Sequence, residues 1–285
     1  MMQSMSDDAP IGLIAGQGRL PVLTAQGIRA SGRRVACVGL ADQFDADLPG
    51  CCDQFAPAGI IRLGRWLRLL RRWGVREAVM IGRVRKARMY EPLRVLRQMP
   101  DWRAAKLWYR VLRHNKRSAT LLGAVADELA AGGVQLIDST RYIQPYLADE
   151  GVMTRTGPGS AQQGDLDFGW PILVRINELD VGQAIAVRDK EVIAIEAIEG
   201  TDAMIRRAGE LCRMGGWTLL KAAAREQDMR FDVPTVGPTT IEQLAAARGK
   251  CLVVESGRVI LADKPRMLEL ADKLGIAVVG RKMGG

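Results

Sequence analysis

Short apolar runs separated by helical patterns constrain the first half of this chain most. PIGLIAG (Pro10 to Gly16), RVACVGLA (Arg34 to Ala41), REAVMIGRV (Arg76 to Val84) and VQLID (Val134 to Asp138) are too apolar along their whole length to leave one face in water. Trp66, Leu69, Leu70 and Trp73 recur at i, i+3, i+4 and i+7, and the apolar-rich stretch Ala119 to Ala131 is stopped by Gly132-Gly133. Strands that are apolar throughout, alternating with helices, are what a parallel sheet covered on both faces requires. The expected fold is α/β in two domains: a Rossmann-like parallel sheet over residues 1–140 and a mixed α/β domain over residues 141–285.

The second half has a different texture. Gly157 to Gly169 (GPGSAQQGDLDFG) is rich in Gly, Gln and Asp and reads as a loop or linker. Gln183 to Val187 and Val192 to Glu196 read as two strands of a hairpin. Thr201 stands at the N-cap position of a helix to Met214, which Gly215-Gly216 closes. WTLLKA reads as a strand. Thr240-Ile241-Glu242-Gln243 has capping-box spacing and opens a helix to Arg248. Strands at Cys251, Val259 and Ile276 to Val279 and a helix from Pro265 to Leu274 complete the domain.

Composition excludes several classes. With 48% hydrophobic residues in 285, a large core is available and a disordered chain is excluded. The five cysteines are odd in number and lack CxxC spacing, which fits reduced thiols better than a disulfide framework. The N-terminus has neither the basic nor the apolar region of a secretory signal, and no apolar run approaches the ~20 residues of a bilayer span. A cytoplasmic protein, at most peripheral to a membrane, is expected. The net charge of +9 is concentrated: Arg62 to Arg117 holds 18 Lys/Arg against three acids, leaving 23 basic and 29 acidic residues elsewhere. On its last stretch Trp102, Ala105, Tyr109 and Leu112 share one helical face while Arg103, Lys106, Arg110 and Arg113 share another. A basic amphipathic helix with aromatics suits an anionic bilayer or an amphiphilic ligand. A core-facing helix with a solvated basic back is the plain alternative. No nucleic-acid-binding module is recognisable, and no nucleic-acid partner is expected.

Three stretches carry candidate chemistry. In GLIAGQGRLP, glycines follow a strand, and Gly16, Gln17 and Gly18 are placed to face a nucleotide or sugar phosphate. The GxGxxG pattern is absent, since Pro21 stands where its last glycine would be. A tight strand–helix turn with no ligand explains the same glycines. In IEAIEGTDAMI, Glu196, Glu199 and Asp202 surround a helix start at Gly200-Thr201 whose free N–H groups suit phosphate. Carboxylates beside a phosphate call for a cation. With one histidine, His114, and scattered cysteines, oxygen ligation is expected, hence Mg²⁺ or Mn²⁺ rather than zinc. Helix-dipole complementation is the alternative for Glu199 and Asp202. In QDMRFDVPTVG, Asp228 and Asp232 can ligate or orient a cation, and Arg230 can fork onto phosphate oxygens, with Lys221 adding charge from a strand end. An edge strand with alternating ion pairs would show the same alternation, but Pro234 stops it.

In order along nearly the whole chain, these blocks resemble the LpxI-type UDP-2,3-diacylglucosamine pyrophosphatase family. The resemblance runs through IGLIAGQGRLP, MIGRV (Met80 to Val84), NKRSATLLGAVADEL, DVGQAIAVRDKEVIAIEAIEGTDAMIRRAG, WTLLKAAAREQDMRFDVPTVGPTTIE and GIAVVG. The family usually carries Lys-Pro where this chain has Ala224 and Arg225, and Arg225 is the candidate substitute for that lysine. The resemblance implies a two-domain enzyme of lipid A biosynthesis with its site between the domains. It implies Mg²⁺-dependent hydrolysis of UDP-2,3-diacylglucosamine to UMP and 2,3-diacylglucosamine 1-phosphate (lipid X), at the inner-membrane surface, with a homodimer as a compatible assembly. On this view Asp228 is metal ligand or water-positioning base, and Asp232, Glu196, Glu199 and Asp202 are metal or outer ligands. Arg230 and Lys221 bind phosphate, and Gly16, Gln17, Gly18, Gln183, Gly200, Thr201 and Gln227 contact substrate. The competing classes are a nicotinamide-dependent oxidoreductase, against which the missing GxGxxG weighs, and a non-catalytic binder of anionic lipid, RNA or nucleotide.

Overall fold

The computed structural model describes residues 9–84, 101–107, 109, 118–224 and 227–283. Of the basic amphipathic stretch, Trp102–Leu107 is helical, whereas Arg110, Leu112, Arg113 and His114, like Arg225, lie outside the described residues. The chain divides into two compact units, Met1–Ile143 with Asp228–Asp232, and Gln144–Gln227 with Val233–Gly285. The chain therefore crosses between units three times.

The first unit carries β1 (Ile11–Ala15), α1 (Arg19–Ala30), β2 (Val35–Leu40), β3 (Gln54–Ala58), α2 (Leu63–Arg72), β4 (Glu77–Ile81), α3 (Trp102–Leu107), α4 (Ser118–Ala131) and β5 (Gln135–Leu136). Its five strands run in the order β3-β2-β1-β4-β5, all parallel, as the alternation predicts. Residues of β1 and β2 are buried on both faces, which is why they read as unbroken apolar runs. Ile14, Ala36 and Val38 pack under Trp66, Leu67, Leu70 and Leu129 of α2 and α4. The edge strand β3, QFAPA, escaped the sequence reading. It is half-exposed and contains Pro57, which only an edge tolerates.

The second unit carries β6 (Gly151–Val152), α5 (Ser160–Glu178), β7 (Ala184–Arg188), β8 (Glu191–Ile195), α6 (Thr201–Leu211), β9 (Thr218–Lys221), β10 (Thr235–Val236), α7 (Pro238–Ala246), β11 (Cys251–Glu255), β12 (Ile260–Leu261), α8 (Lys264–Leu274) and β13 (Ala277–Arg281). Six strands form a mixed sheet in the order β6-β13-β11-β9-β7-β8, and β10 and β12 pair separately. Alternate residues serve opposite cores. Leu219, Leu252 and Val254 join Met204, Ile205, Ile241 and Met267 on one face, and Leu220, Cys251 and Val253 join Leu166, Trp170 and Leu173 on the other. The β7–β8 hairpin turns on Asp189 and Lys190, both at positive φ.

The stretch Gly157 to Gly169 is not a linker. From Ser160 it is the first half of the 19-residue α5. Ser160, Gln163 and Asp167 face out, while Asp165, Leu166, Gly169, Trp170, Leu173, Ile176 and Asn177 supply a buried stripe at helical spacing. Gly169 allows close packing, since a Cβ there would stand 2.8 Å from Val187. Two helix starts also move. The N-cap of α6 is Gly200 at φ 81°, leaving the Thr201 hydroxyl free of capping. For α7, Gly237 is the N-cap and Pro238 the first helical residue, with Thr240 accepting the Gly237 N–H at 3.3 Å.

Candidate active site

In the first unit, the strand–turn Gly16-Gln17-Gly18 is held by protein acceptors. The Gly16 N–H donates to Ile81 O and the Gln17 N–H to Arg83 O, both at 2.9 Å, while Gly18 N–H donates to the Asp45 carboxylate at 3.1 Å. Two of the three amides expected to meet phosphate are thus committed to the main chain, and the third to a side chain. Here the glycines serve backbone approach: a Cβ on Gly16 would lie 2.7 Å from Arg83 O, and one on Gly82 2.7 Å from the Gly16 carbonyl carbon. Gly82 also sits at φ 108°. Gly82→Ala should cost about 2–4 kcal/mol from combined backbone strain and overlap. The melting temperature should fall by roughly 5–10 °C. An unchanged midpoint in a thermal melt would show that the two turns can separate freely.

The segment Asp228–Asp232 is a tight turn, not an edge strand. Phe231 N–H and Asp232 N–H both donate to Asp228 O, at 3.2 and 3.1 Å. Ser139 anchors it, its N–H and Oγ donating to Met229 O at 3.0 and 2.8 Å. Arg230 folds back onto Asp228, with Nε 2.9 and 3.0 Å from the two carboxylate oxygens and Nη2 2.6 Å from Oδ2. The guanidinium's hydrogen bonds hold the Asp228 carboxyl below the usual carboxylate range. In this state Arg230 is spent on Asp228 rather than free for a phosphate. Asp232 is exposed on the same turn. Phe231 helps line an apolar cavity of about 280 Å³ with Ile14, Leu40, Trp66, Met80 and Leu121, bordered by Gly16 and Gly82.

In the second unit, three predicted residues converge at the ends of β8 and β9 and the start of α6. Lys221, 5% exposed at the last position of β9, donates from Nζ to Thr201 Oγ1 at 2.6 Å. The Thr201 hydroxyl donates to Glu196 Oε1 at 2.8 Å, and Glu196 Oε2 lies 3.8 Å from Lys221 Nζ. Glu196 Oε2 is buried and accepts no hydrogen bond among the described residues. Gln183 contributes main chain, its carbonyl accepting the Ala222 N–H at 3.0 Å.

Other predicted residues diverge from this group. Glu199 accepts from Ala197 N–H at 3.1 Å and from Arg207 Nη2 at 2.6 Å. Its carboxyl is lowered first by its own backbone N–H and further by Arg207. Asp202 is exposed and lines a groove between α6 and α7 with Arg206, Arg213, Gln243 and Arg248. Glu196, Glu199 and Asp202 therefore do not form the shared carboxylate cluster expected for a cation. Among the described residues no three His, Cys, Asp or Glu side chains are grouped to hold a metal ion.

Residues missed by sequence reasoning shape the turn leaving Lys221. Glu255, 2% exposed, accepts the Ala223 N–H at 2.9 Å, and Asn177 Nδ2 donates to Ala223 O at 3.2 Å. Arg258 donates to Ala224 O at 3.2 Å and stands 3.6 Å from Glu255. Gln227 Oε1 accepts the Ala224 N–H at 2.8 Å, while its buried Nε2 has no partner among the described residues. Burial pushes the Glu255 carboxyl upward, against the pull of Ala223 N–H and Arg258. The sole sequence signal was a carboxylate ending the otherwise apolar run CLVVE. Glu255→Ala strands a buried N–H and should destabilise the unit by about 2–4 kcal/mol. Glu255→Gln, which keeps an acceptor, should lose less than half of that in urea unfolding; equal losses would assign the cost to charge alone.

The fold and these side chains define an α/β protein whose candidate site groups are carboxylates, a buried lysine and a paired arginine. Family models agree with both halves: residues 10–146 match the LpxI N-terminal domain and residues 149–279 the LpxI C-terminal domain. The chain is 32% identical over 283 residues to the UDP-2,3-diacylglucosamine pyrophosphatase LpxI of Caulobacter vibrioides, covering 95% of this chain and 96% of that protein. The chain belongs to the LpxI family.

Proposed function

We propose that this protein hydrolyses the pyrophosphate bond of UDP-2,3-diacylglucosamine, yielding UMP and 2,3-diacylglucosamine 1-phosphate for lipid A biosynthesis. The observation that carries the reading is the end-to-end relation to a protein of that name, which covers both units. In the proposed reaction a water oxygen bonds to the glucosamine-side phosphorus as the bond from that phosphorus to the UMP oxygen breaks. Asp228, kept ionised by Arg230, orients that water or holds the cation that accompanies the pyrophosphate. Lys221 supports negative charge on phosphate, and Thr201 fixes its ammonium. Displacement of Arg230 from Asp228 by phosphate would release a second cation.

The donor chemistry fits Mg²⁺ or Mn²⁺, because the candidate ligands are carboxylate oxygens and, among the described residues, Glu196 Oε2 has no hydrogen-bond donor. With few carboxylates grouped, Asp228 would be the principal protein ligand, phosphate oxygens and water supplying the rest. A bound Mg²⁺ would neutralise the phosphoryl oxygens and acidify a coordinated water.

The apolar cavity beside Phe231 is of the right character for part of an acyl chain. Among the described residues no helix is long and apolar enough to cross a membrane. Trp102 and Tyr109, 83% and 67% exposed within the basic segment, would meet the bilayer that holds the substrate. The test is incubation with UDP-2,3-diacylglucosamine, with and without Mg²⁺, following UMP. Metal-dependent UMP release is expected from this substrate and none from UDP-N-acetylglucosamine, which lacks the long acyl chains. Equal cleavage of both would remove the acyl reading, and cleavage of neither would remove the function.

A further inference from the structure

The second unit carries a charged groove that the proposed hydrolysis does not use. It lies between α6 and the C-terminal end of α7 and measures about 660 Å³. One side is formed by Asp202, Arg206 and Glu210 of α6 and by Arg213 just beyond it, with Ile205 and Gly209 between them. Steps of three and four residues bring helix positions onto one face, which is why these line a single groove. Gly209 sets the floor, since a Cβ there would stand 2.8 Å from that of Ala247. Asp202, Arg206, Glu210 and Arg213 are exposed, and among the described residues none of these side chains makes a hydrogen bond or ion pair. Arg248 closes one end, its Nη1 donating to Arg213 O at 2.6 Å. Gln243 lines the α7 side, and its buried Oε1 has no hydrogen-bond donor among the described residues.

The order of the charges selects the occupant. Along the chain they read acid, base, acid, base, and reversal of that order gives its complement. An antiparallel second copy therefore sets Asp202 against Arg213 and Arg206 against Glu210, and two-fold symmetry forms each pair again in the other direction. The midpoints of both pairs fall within Arg207-Ala208, so one axis serves all the contacts. A parallel copy would set like charge on like. A small anion fits less well, because Asp202 and Glu210 stand between the arginines that would bind it. We propose that this groove is a self-association surface, with α6 of each copy lying antiparallel in the α6–α7 groove of the other. Each copy then brings arginine donors to the orphan Gln243 oxygen of the other. The surface consists of second-unit residues alone and goes beyond the hydrolysis reading.

The experiment is sedimentation velocity of the full chain at micromolar concentration, where wild type is expected as a dimer. Arg206→Glu sets glutamate against Glu210 on both sides of the axis, and Glu210→Arg sets arginine against Arg206 on both sides. Each variant should weaken self-association at least about 30-fold, because two attractive surface pairs become two repulsive ones. Both should keep the wild-type far-UV circular dichroism, since these side chains have no partner among the described residues of their own chain. An equimolar mixture of the two variants should form a heterodimer, each glutamate now facing an arginine. The combined variant Arg206→Glu with Glu210→Arg, which keeps the wild-type net charge, should dimerise again. Arg266→Glu, on the exposed side of α8 and outside the groove, changes the net charge as Arg206→Glu does and should leave the dimer intact. A monomeric wild type, single variants that still dimerise, a mixture that stays monomeric, or a dimer lost equally in Arg266→Glu would each overturn the proposal. Because every readout is independent of turnover, the result does not depend on the proposed hydrolysis.

Discussion

Asp228→Ala abolishes UMP release while leaving the protein folded and able to bind substrate: kcat is expected to fall by at least about 10³-fold, the scale of losing a group that acts on the reacting phosphate. The substitution removes the only anchor seen for the Arg230 side chain among the described hydrogen bonds, so Arg230 swings free and substrate affinity is retained or raised. Asp228→Asn keeps one oxygen for Arg230 but not the charge, and should be as inactive as the alanine variant. Residual activity in Asp228→Asn within tenfold of wild type would reduce Asp228 to a geometric support for Arg230. The sign of the pH effect follows from the same ion pair. Arg230 lowers the Asp228 carboxyl, so the stability it contributes is present above the unfolded value of about 3.9 and is lost as pH falls through the lower folded value. An acid limb of activity between pH 5 and 7 would therefore belong to another group.

Lys221→Met is the second large effect. The lysine side chain is 6% exposed and its partner Glu196 12%, so among the described residues removing the ammonium leaves a buried carboxylate with no cation and Thr201 with no donor. Breaking such a pair costs about 3–5 kcal/mol, much of it the uncompensated charge left behind. Adding Glu196→Gln to Lys221→Met should restore most of that stability, because the stranded charge is gone. It should not restore turnover if Lys221 supports phosphate. Recovery of both stability and activity in the double variant would make the Lys221–Thr201–Glu196 network purely structural. Loss of activity in Lys221→Arg, which keeps the charge but cannot place it as a compact ammonium against Thr201 Oγ1, would strengthen the catalytic assignment.

Much of the fold was legible because its signal is local. The apolar runs ending at Gly16 and Ala41 became parallel strands, and the hairpin around Arg188 to Glu191 formed where expected, its turn narrowed to Asp189-Lys190. Periodicity reports which residues are buried, and strands covered on both faces leave a plain mark. The same rule failed for α5 because its first turns carry polar residues and glycine on the outward side. The inward stripe from Leu166 to Ile176 emerges only over three turns or more.

The candidate site divides along the same line. The sequence by itself determined which residue types the candidate site offers, carboxylates, lysine and arginine, and it carried a family resemblance that the comparison with known proteins bears out. Tertiary structure alone decided which of them meet. It joined Lys221 to Thr201 and Glu196, turned Glu199 to Arg207 and Asp202 to an open groove, and closed Arg230 onto Asp228. It also returned Asp228–Asp232 to the first unit through Ser139, 90 residues away in the chain. The physical reason is reach. Hydrophobic patterning acts through neighbours three or four residues apart, whereas a buried polar atom is satisfied by whichever partner the packed backbone brings within about 3 Å. Sequence spacing carries no record of that choice.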